Sequence, residues 1–427
     1  MAALFKDSPE YEARKKVPFS PPAITIKDVH AAVPKHLFKR STEKCLYYVG
    51  RHVAVSFAFY LCATRIDSTV LRIASQHDLG SRAVSALRYV FWALYWFWQS
   101  VAFTGLWTLG HECGHDALAP SALLNAVLGL GLHTFVLTPY YAWRATHRSH
   151  HKGTNNLDRD ETYHPQTREE LNLPPEHVAT PMDYKELIEE TPLYTLWKMV
   201  IRQFLGFQLY LIHNRKGNPK YPPWTSHYKP SSLLFRPEDR PYIILSDAAM
   251  AVMICLLGLW IHSTSWNNVW RLYVVPWLWA HNWIVMITYL QHSDPTVPIY
   301  RGQWTFLRGA LATVDRPIFG WVGRFFWHGI AHDHIAHHFF VTVPFYNLPE
   351  VTEAIKPVLG DYYYYDSTPT LYALWRSFTQ CKFIESTGDI LFYKDMQGRA
   401  VRQCQQAEET VAPVLQDEKI DVLSDDD

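Results

Sequence analysis

Apolar positions gather in a few long blocks instead of alternating along the chain. Residues 89–109 carry no charge, and 245–264 is uncharged from residue 248 onward. Residues 272–290 are also uncharged, and 45–64 is broken only by Arg51 and His52. A helix needs about 20 such residues to cross hydrocarbon. Windows this long and charge-free are rare in soluble folds. They predict four membrane-crossing helices, pairing first with second and third with fourth. Pro276 would kink the fourth, which a membrane helix tolerates when neighbours satisfy the freed carbonyl. The expected fold is therefore an all-α polytopic membrane protein. Its parts would be an N-terminal segment over 1–44, a membrane domain over 45–395 and an acidic, disordered tail over 396–427. Residues 121–142 form a fifth uncharged stretch, considered below.

Average composition conceals these blocks, because the hydrophobic fraction is an ordinary 48%. Lys+Arg and Asp+Glu are both 40, so no net basic charge is present to neutralise phosphates. That excludes a typical nucleic-acid binder. Aromatics reach 15%, with 17 Trp, and such side chains favour bilayer interfaces. The six cysteines are scattered without a CxxC pair, which predicts free thiols in or beside a reducing compartment. The charged, Pro-rich start shows no apolar leader. Nine Lys/Arg precede the first window, against four arginines between the first and second. The excess places the N-terminus in the cytosol. Pairing the spans then returns residues 110–242 and everything after 291 to that side, as a cytosolic helical cap.

Twenty-two histidines call for a search for metal ligands. Three clusters stand out: His111 and His115; His147, His150 and His151; His334, His337 and His338. On a helix, positions i, i+3 and i+4 share one face. His292, just past the fourth window, is a ninth candidate. A zinc site takes four ligands or three plus water, so this set is too large for one zinc. It fits two metals with four or five nitrogens each. Imidazole suits several metals, and two redox-active irons also account for a bilayer setting. The alternative is an intramembrane zinc protease built on His111-Glu112-x-x-His115, with Glu112 as base. Sharing one site constrains topology: if 121–142 crossed the membrane, His115 and His147 would face opposite compartments. That stretch is expected to dip in and return or to lie in the interface, bending at Gly129, Gly131 or Pro139. His328, His332, His133 and His281 are expected to be bystanders. Asp116, Asp158, Asp160, Glu161, Asp315 and Asp333 are candidates to orient imidazoles. Arg144, Arg148 and Lys152 are candidates to face an anionic headgroup or electron donor. Tyr140, Tyr141 and Trp143 suit an acyl channel or an interface belt.

HECGH at 111–115, HRSHH at 147–151 and HIAHH at 334–338 resemble the histidine boxes of membrane-bound fatty acid desaturases. The flanking text YLQHSDPTVP and PFYNLPEVTEAIKPVLG carries the likeness over residues 40–395. Within that family the chain looks most like the fungal and plant oleate Δ12 and ω3 group. The resemblance implies four spans under a cytosolic cap in the endoplasmic reticulum and an O2-dependent di-iron centre. Its ligands would be His111, His115, His147, His150, His151, His292, His334, His337 and His338. It also implies a phospholipid- or CoA-linked acyl substrate. Electrons would come from NADH through cytochrome b5 reductase and a separate cytochrome b5, since the chain has no HPGG sequence. The same boxes would serve an ω3 desaturase, an acetylenase or conjugase, or a hydroxylase. Three positions depart from relatives: Asp116 after the first box, Asn347, and Thr288 where acyl-CoA Δ9 relatives have Asn.

Overall fold

The computed structural model describes residues 2–405. The helices that frame the site are α1 (Pro9–Lys15), α2 (Thr42–Ala63), α3 (Ser81–Gly114), α4 (Ala122–Phe135), α5 (Tyr140–His151), α6 (Pro192–His213), α7 (Arg240–Ser263), α8 (Val275–His292), α9 (His334–Phe339), α10 (Leu348–Leu359) and α11 (Thr370–Gln380). The fold is mostly helical, as the apolar blocks imply. A two-stranded antiparallel ribbon pairs β1 (Ile299–Tyr300) with β2 (Ile390–Leu391) and is a small exception to an all-α description.

Among the described residues, two helical stretches are long and apolar enough to cross a membrane: α2, and Pro237–Ser263, which ends in α7. Only 17% of the most apolar window of each is buried. Leu46, Val53, Phe57 and Leu61 on α2, and Val252, Ile254, Leu256 and Leu259 on α7, stay uncovered. Apolar surface of this extent marks contact with another apolar phase. α3 and α8 occupy the other two expected windows but are rich in Trp, Tyr and Thr. Much of each is inside the protein: every residue from Gln99 to Gly114 is buried. α3 runs for 34 residues, about 50 Å at helical rise. It is longer than a hydrocarbon layer of about 30 Å is thick, and the first histidine cluster lies at its end.

Pro276 lies in the first turn of α8, preceded by a π-turn at Trp270–Val274. Neighbours supply the donors its ring removes. The Tyr95 hydroxyl donates to Leu272 O at 2.7 Å, and Trp96 Nε1 to Arg271 O at 2.9 Å.

The stretch 121–142 does not form one straight helix. α4 has 14 residues, about 21 Å, too short to span. α5 leaves it at 107°. The break falls at Val136–Pro139, with Leu137 at φ 53°. Two donors from the other half of the protein hold it: the Tyr273 hydroxyl on Phe135 O and Trp277 Nε1 on Val136 O. Of the three expected bend points only Pro139 is used. Gly129 and Gly131 lie inside α4, and Gly129 serves packing, since a Cβ there would come within 2.4 Å of the Tyr140 ring.

The N-terminal segment is built into the domain. Asp294, Asp366, Arg316 and Arg376 form a buried ion network. Arg316 reaches Asp294 at 2.7 Å and Asp366 at 2.5 Å; Arg376 reaches Asp366 at 2.6 Å and Asp7 at 2.5 Å. Ser8 Oγ donates to Asp366 and Arg14 Nε to Thr296 Oγ1, so α1 is clamped across the loop after α8. Residues 396–405, grouped above with the acidic tail, run beside Phe19 through backbone bonds from Phe19 N to Gln403 O and Gln405 N to Phe19 O. The rest of that tail lies outside the described residues.

Candidate metal centre

Four elements bring the histidines together: the end of α3, α5, the end of α8 and α9. Two groups result. In the first, the ring nitrogens of His111, His115, His147, His151 and His337 lie within 4.8 Å of one another. In the second, those of His150, His292 and His338 do the same. His334 joins it, with Nε2 at 3.0 Å from His292 Nε2 and 3.1 Å from His338 Nε2. All nine sequence-predicted positions therefore meet in one buried cage. The groups touch where the His151 and His338 rings stack at 4.1 Å.

Helical spacing explains how each triplet is divided. His147 and His151 are four apart on α5 and enter the first group, while His150 points to the second. On α9 the assignment is reversed: His334 and His338 enter the second group and His337 the first. Two short helices facing each other thus cross-link the two groups. The sequence shows the triplets; only the packing shows the exchange.

Outer partners fix several rings. His111 Nδ1 lies 3.0 Å from Glu112 Oε1, and His150 Nδ1 2.6 Å from Asp160 Oδ1. Thr154 donates its hydroxyl to His150 O at 2.8 Å, so it accepts from His338 Nδ1 at 3.2 Å. A proton held at Nδ1 leaves the Nε2 lone pair free, the arrangement that orients metal-bound imidazoles. Of the six acids singled out from sequence, Asp160 alone takes this role. Asp116 accepts from Arg144 and Arg148, both at 2.6 Å, tying α5 to the end of α3. Those two arginines thus face an internal carboxylate. Asp315 supports α9 through Ile335 N and accepts from the Tyr363 hydroxyl. Asp333 accepts from Arg324 and Thr352, and Glu161 from Lys220 and Tyr221. Asp158 contacts no imidazole among the described residues. Glu112 and Thr154 were missed as orienting groups; their adjacency to cluster residues was the available signal.

The donor set suits bound metal. His115 Nε2 and both nitrogens of His337 are buried without a hydrogen-bond partner among the described residues. Burial first, then neighbouring imidazoles, hold His115, His147, His151, His334 and His338 well below the usual histidine range. Neutral rings with free lone pairs are the ligating form. Two groups of five and four imidazoles suit transition metals, iron among them.

The other histidines stay out. His133 Nε2 meets Trp107 O at 2.9 Å, and His281 Nδ1 meets Gln208 at 3.0 Å. His328 packs on Phe345, and His332 lies against Gly323.

A cavity of about 860 Å³ runs from the cage. Trp107, Trp143, Ile284 and Val285 line its inner part. Trp143 therefore faces the channel, stacked 4.3 Å from His147, whereas Tyr140 is packed inside. α6, which the apolar pattern did not single out, forms another wall through Phe207. Leu193 and Trp197, nearer its start, stay exposed. Where the cavity opens, Lys198 and Lys382 share the single carboxylate Glu190. Among the described residues the Lys216 ammonium bonds only to the neutral Gln166.

A model of the fatty acid desaturase family matches residues 91–369. A Δ12 fatty acid desaturase of Mortierella alpina is 40% identical over 382 residues, covering 87% of this chain and 91% of that protein. An oleate hydroxylase of Claviceps purpurea is 37% identical over 405 residues, covering 88% and 82%. An omega-6 fatty acid desaturase of Brassica juncea, named for the endoplasmic reticulum, is 35% identical over 377 residues, covering 88% and 91%.

Proposed function

Since the chain belongs to the fatty acid desaturase family, we propose that this membrane oxidoreductase converts oleoyl to linoleoyl chains at the Δ12 position. The observation that carries the reading is the paired histidine cage opening into an apolar cavity. His111, His115, His147, His151 and His337 would hold one iron, and His150, His292, His334 and His338 the other. Iron bound there would supply the reduction of O2, for which the protein has no side chain of its own. The balance is fixed: one O2, two electrons and two protons remove two hydrogens from the chain and leave a C=C bond and two waters.

This chain's residues do the rest. Glu112, Asp160 and Thr154 hold Nδ1 protons so that Nε2 faces inward. Trp107, Trp143, Ile284 and Val285 exclude water and grip a methylene chain by shape. The cationic opening suits the phosphate of a phospholipid or of CoA. Burial first, then the neighbouring Arg202, Arg215 and Lys198, lower the Lys216 pKa to about 8. Electrons would come from external cytochrome b5. The membrane would be that of the endoplasmic reticulum, crossed four times by α2, α3, α7 and α8, with the cage in a cytosolic cap. The bent α4–α5 pair supports this topology, because it lets His115 and His147 share a side. Tags inserted at 118 and 155 are expected to be protected or exposed together. Opposite protection would overturn the shared cage.

The reading is tested by gas chromatography of lipids from yeast expressing the chain. Linoleate is expected to appear from endogenous oleate. A product formed only when linoleate is fed would favour an ω3 desaturase or a conjugase or acetylenase. A hydroxylated chain would favour the hydroxylase reading, which the Claviceps relative keeps open. No new lipid, with one zinc per chain, would favour the protease.

A further inference from the structure

Tyr163 has a left-handed backbone, φ 51°, which a bulky side chain seldom adopts. Its hydroxyl lies 2.5 Å from Thr288 Oγ1. Thr288 Oγ1 is also 2.9 Å from Ile284 O. A carbonyl only accepts and a hydroxyl has one proton, so Thr288 donates to Ile284 and Tyr163 donates to Thr288. Thr288 stands four residues before His292 on α8, one turn away on the same face. The Tyr163 ring lies 5.5 Å from Tyr289 and nearly parallel to His292 at 6.5 Å and 17°. The same short loop holds His150, through Asp160 at 2.6 Å and Thr162 Oγ1 at 3.0 Å from Nδ1. Both Tyr163 and Thr288 line the cavity, where Ile284, Val285 and Phe207 make the nearby wall apolar. A polar bridge therefore joins loop and helix beside the inner end of an apolar channel, and a strained backbone is held in place to make it.

We propose that the Tyr163–Thr288 hydroxyl bridge is a positioning element that fixes which carbons of the acyl chain face the histidine cage. This rests on the desaturase reading. An acyl chain is held by many weak, nondirectional contacts, so its register depends on a wall that does not move. The bridge pins the Tyr163 ring as that wall. Product type depends on the same placement. Desaturation takes hydrogens from two neighbouring carbons and yields two waters. Hydroxylation uses the same O2, two electrons and two protons, takes one hydrogen, returns one oxygen to that carbon and yields one water. Relatives of both kinds resemble this chain at 37–40% identity, so the shared fold does not by itself set the outcome.

The test uses the full chain in yeast membranes, with lipid products resolved by gas chromatography–mass spectrometry and iron content measured on purified protein. Tyr163→Phe and Thr288→Val each remove the bridge with little change of shape. Each is expected to raise the ratio of displaced or hydroxylated product to the main product about fivefold, the scale of one neutral hydrogen bond, with iron per chain unchanged. The double variant is expected to go no further than either single one, because one bond is lost in each. Thr288→Ser keeps a hydroxyl and is expected to restore the wild-type ratio. A structural role alone would lower yield without moving that ratio. Should Tyr163→Phe not accumulate, the Thr288→Val and Thr288→Ser pair decides. Unchanged ratios with product still formed, or a shift in Thr288→Ser equal to that in Thr288→Val, overturn the proposal. Absence of any new lipid from the wild-type chain overturns the desaturase reading itself, and this inference with it.

Discussion

Replacing His337 with alanine is expected to lower turnover by more than about 100-fold, because losing an outer partner alone costs roughly 10–100-fold. The purified protein should also lose at least one iron per chain. The His337 ring lies 4.8 Å from His111 and 4.9 Å from both His115 and His151 in the first group. Neither of its nitrogens has a hydrogen-bond partner among the described residues, so no hydrogen bond to the protein is broken by the change. The defect should therefore be read in metal content before it is read in stability. His332→Ala is the control. That ring is also buried, yet it stands outside both groups. It should keep its iron. Full activity in His337→Ala, or equal iron loss in both variants, would sink the two-metal cage.

Asp366→Ala should destabilise the protein by about 3–5 kcal/mol, the usual cost of removing one partner from a buried ion pair. Asp366 is fully buried and accepts from Arg316, Arg376, Ser8 Oγ and Thr368 N. Its loss leaves Asp294 to balance much of two buried guanidiniums. Arg316 also donates to Leu290 O at 2.9 Å, so the damage reaches the last turn of α8, which carries His292. The pH dependence has a definite sign. Against the cost of burial, Arg316 and Arg376 hold the Asp366 carboxyl well below the usual carboxylate range. Between that depressed value and the unfolded value of about 3.9, the unfolded chain binds the extra proton. Stability from this group is full above the unfolded value and is lost as pH falls below it. Thermal unfolding of detergent-solubilised protein at neutral pH and near pH 3 should show the variant weaker at neutrality and less sensitive to acid. Equal melting of variant and wild type at neutral pH would show that the network contributes nothing.

The four long apolar windows were legible because lipid-facing and deeply buried helices must be apolar over a whole span. Their positions match α2, α3, α7 and α8. Two of them could not be assigned to lipid on composition, since α3 and α8 spend much of their surface on each other and on the cage. The histidine clusters were legible because helical spacing is local: three or four residues along the chain is one turn in space. α6 escaped notice, since Lys198 and Arg202 interrupt its apolar run. The ion network escaped for a different reason. Asp7, Asp294, Arg316, Asp366 and Arg376 are separated by up to hundreds of residues, and nothing in any one neighbourhood marks them as partners.

Sequence by itself determined that eight imidazoles in three short-range groups, with His292 as a ninth, flank long apolar helices, and through that pattern the family and the kind of chemistry. Tertiary structure decided how those rings divide into five and four, where the chain turns back at Val136–Pro139, and which acids orient a ring. Spacing along a helix is set by covalent geometry and hydrogen bonding within one turn. The pairing of distant turns is set by packing between elements, which no local stretch of residues encodes.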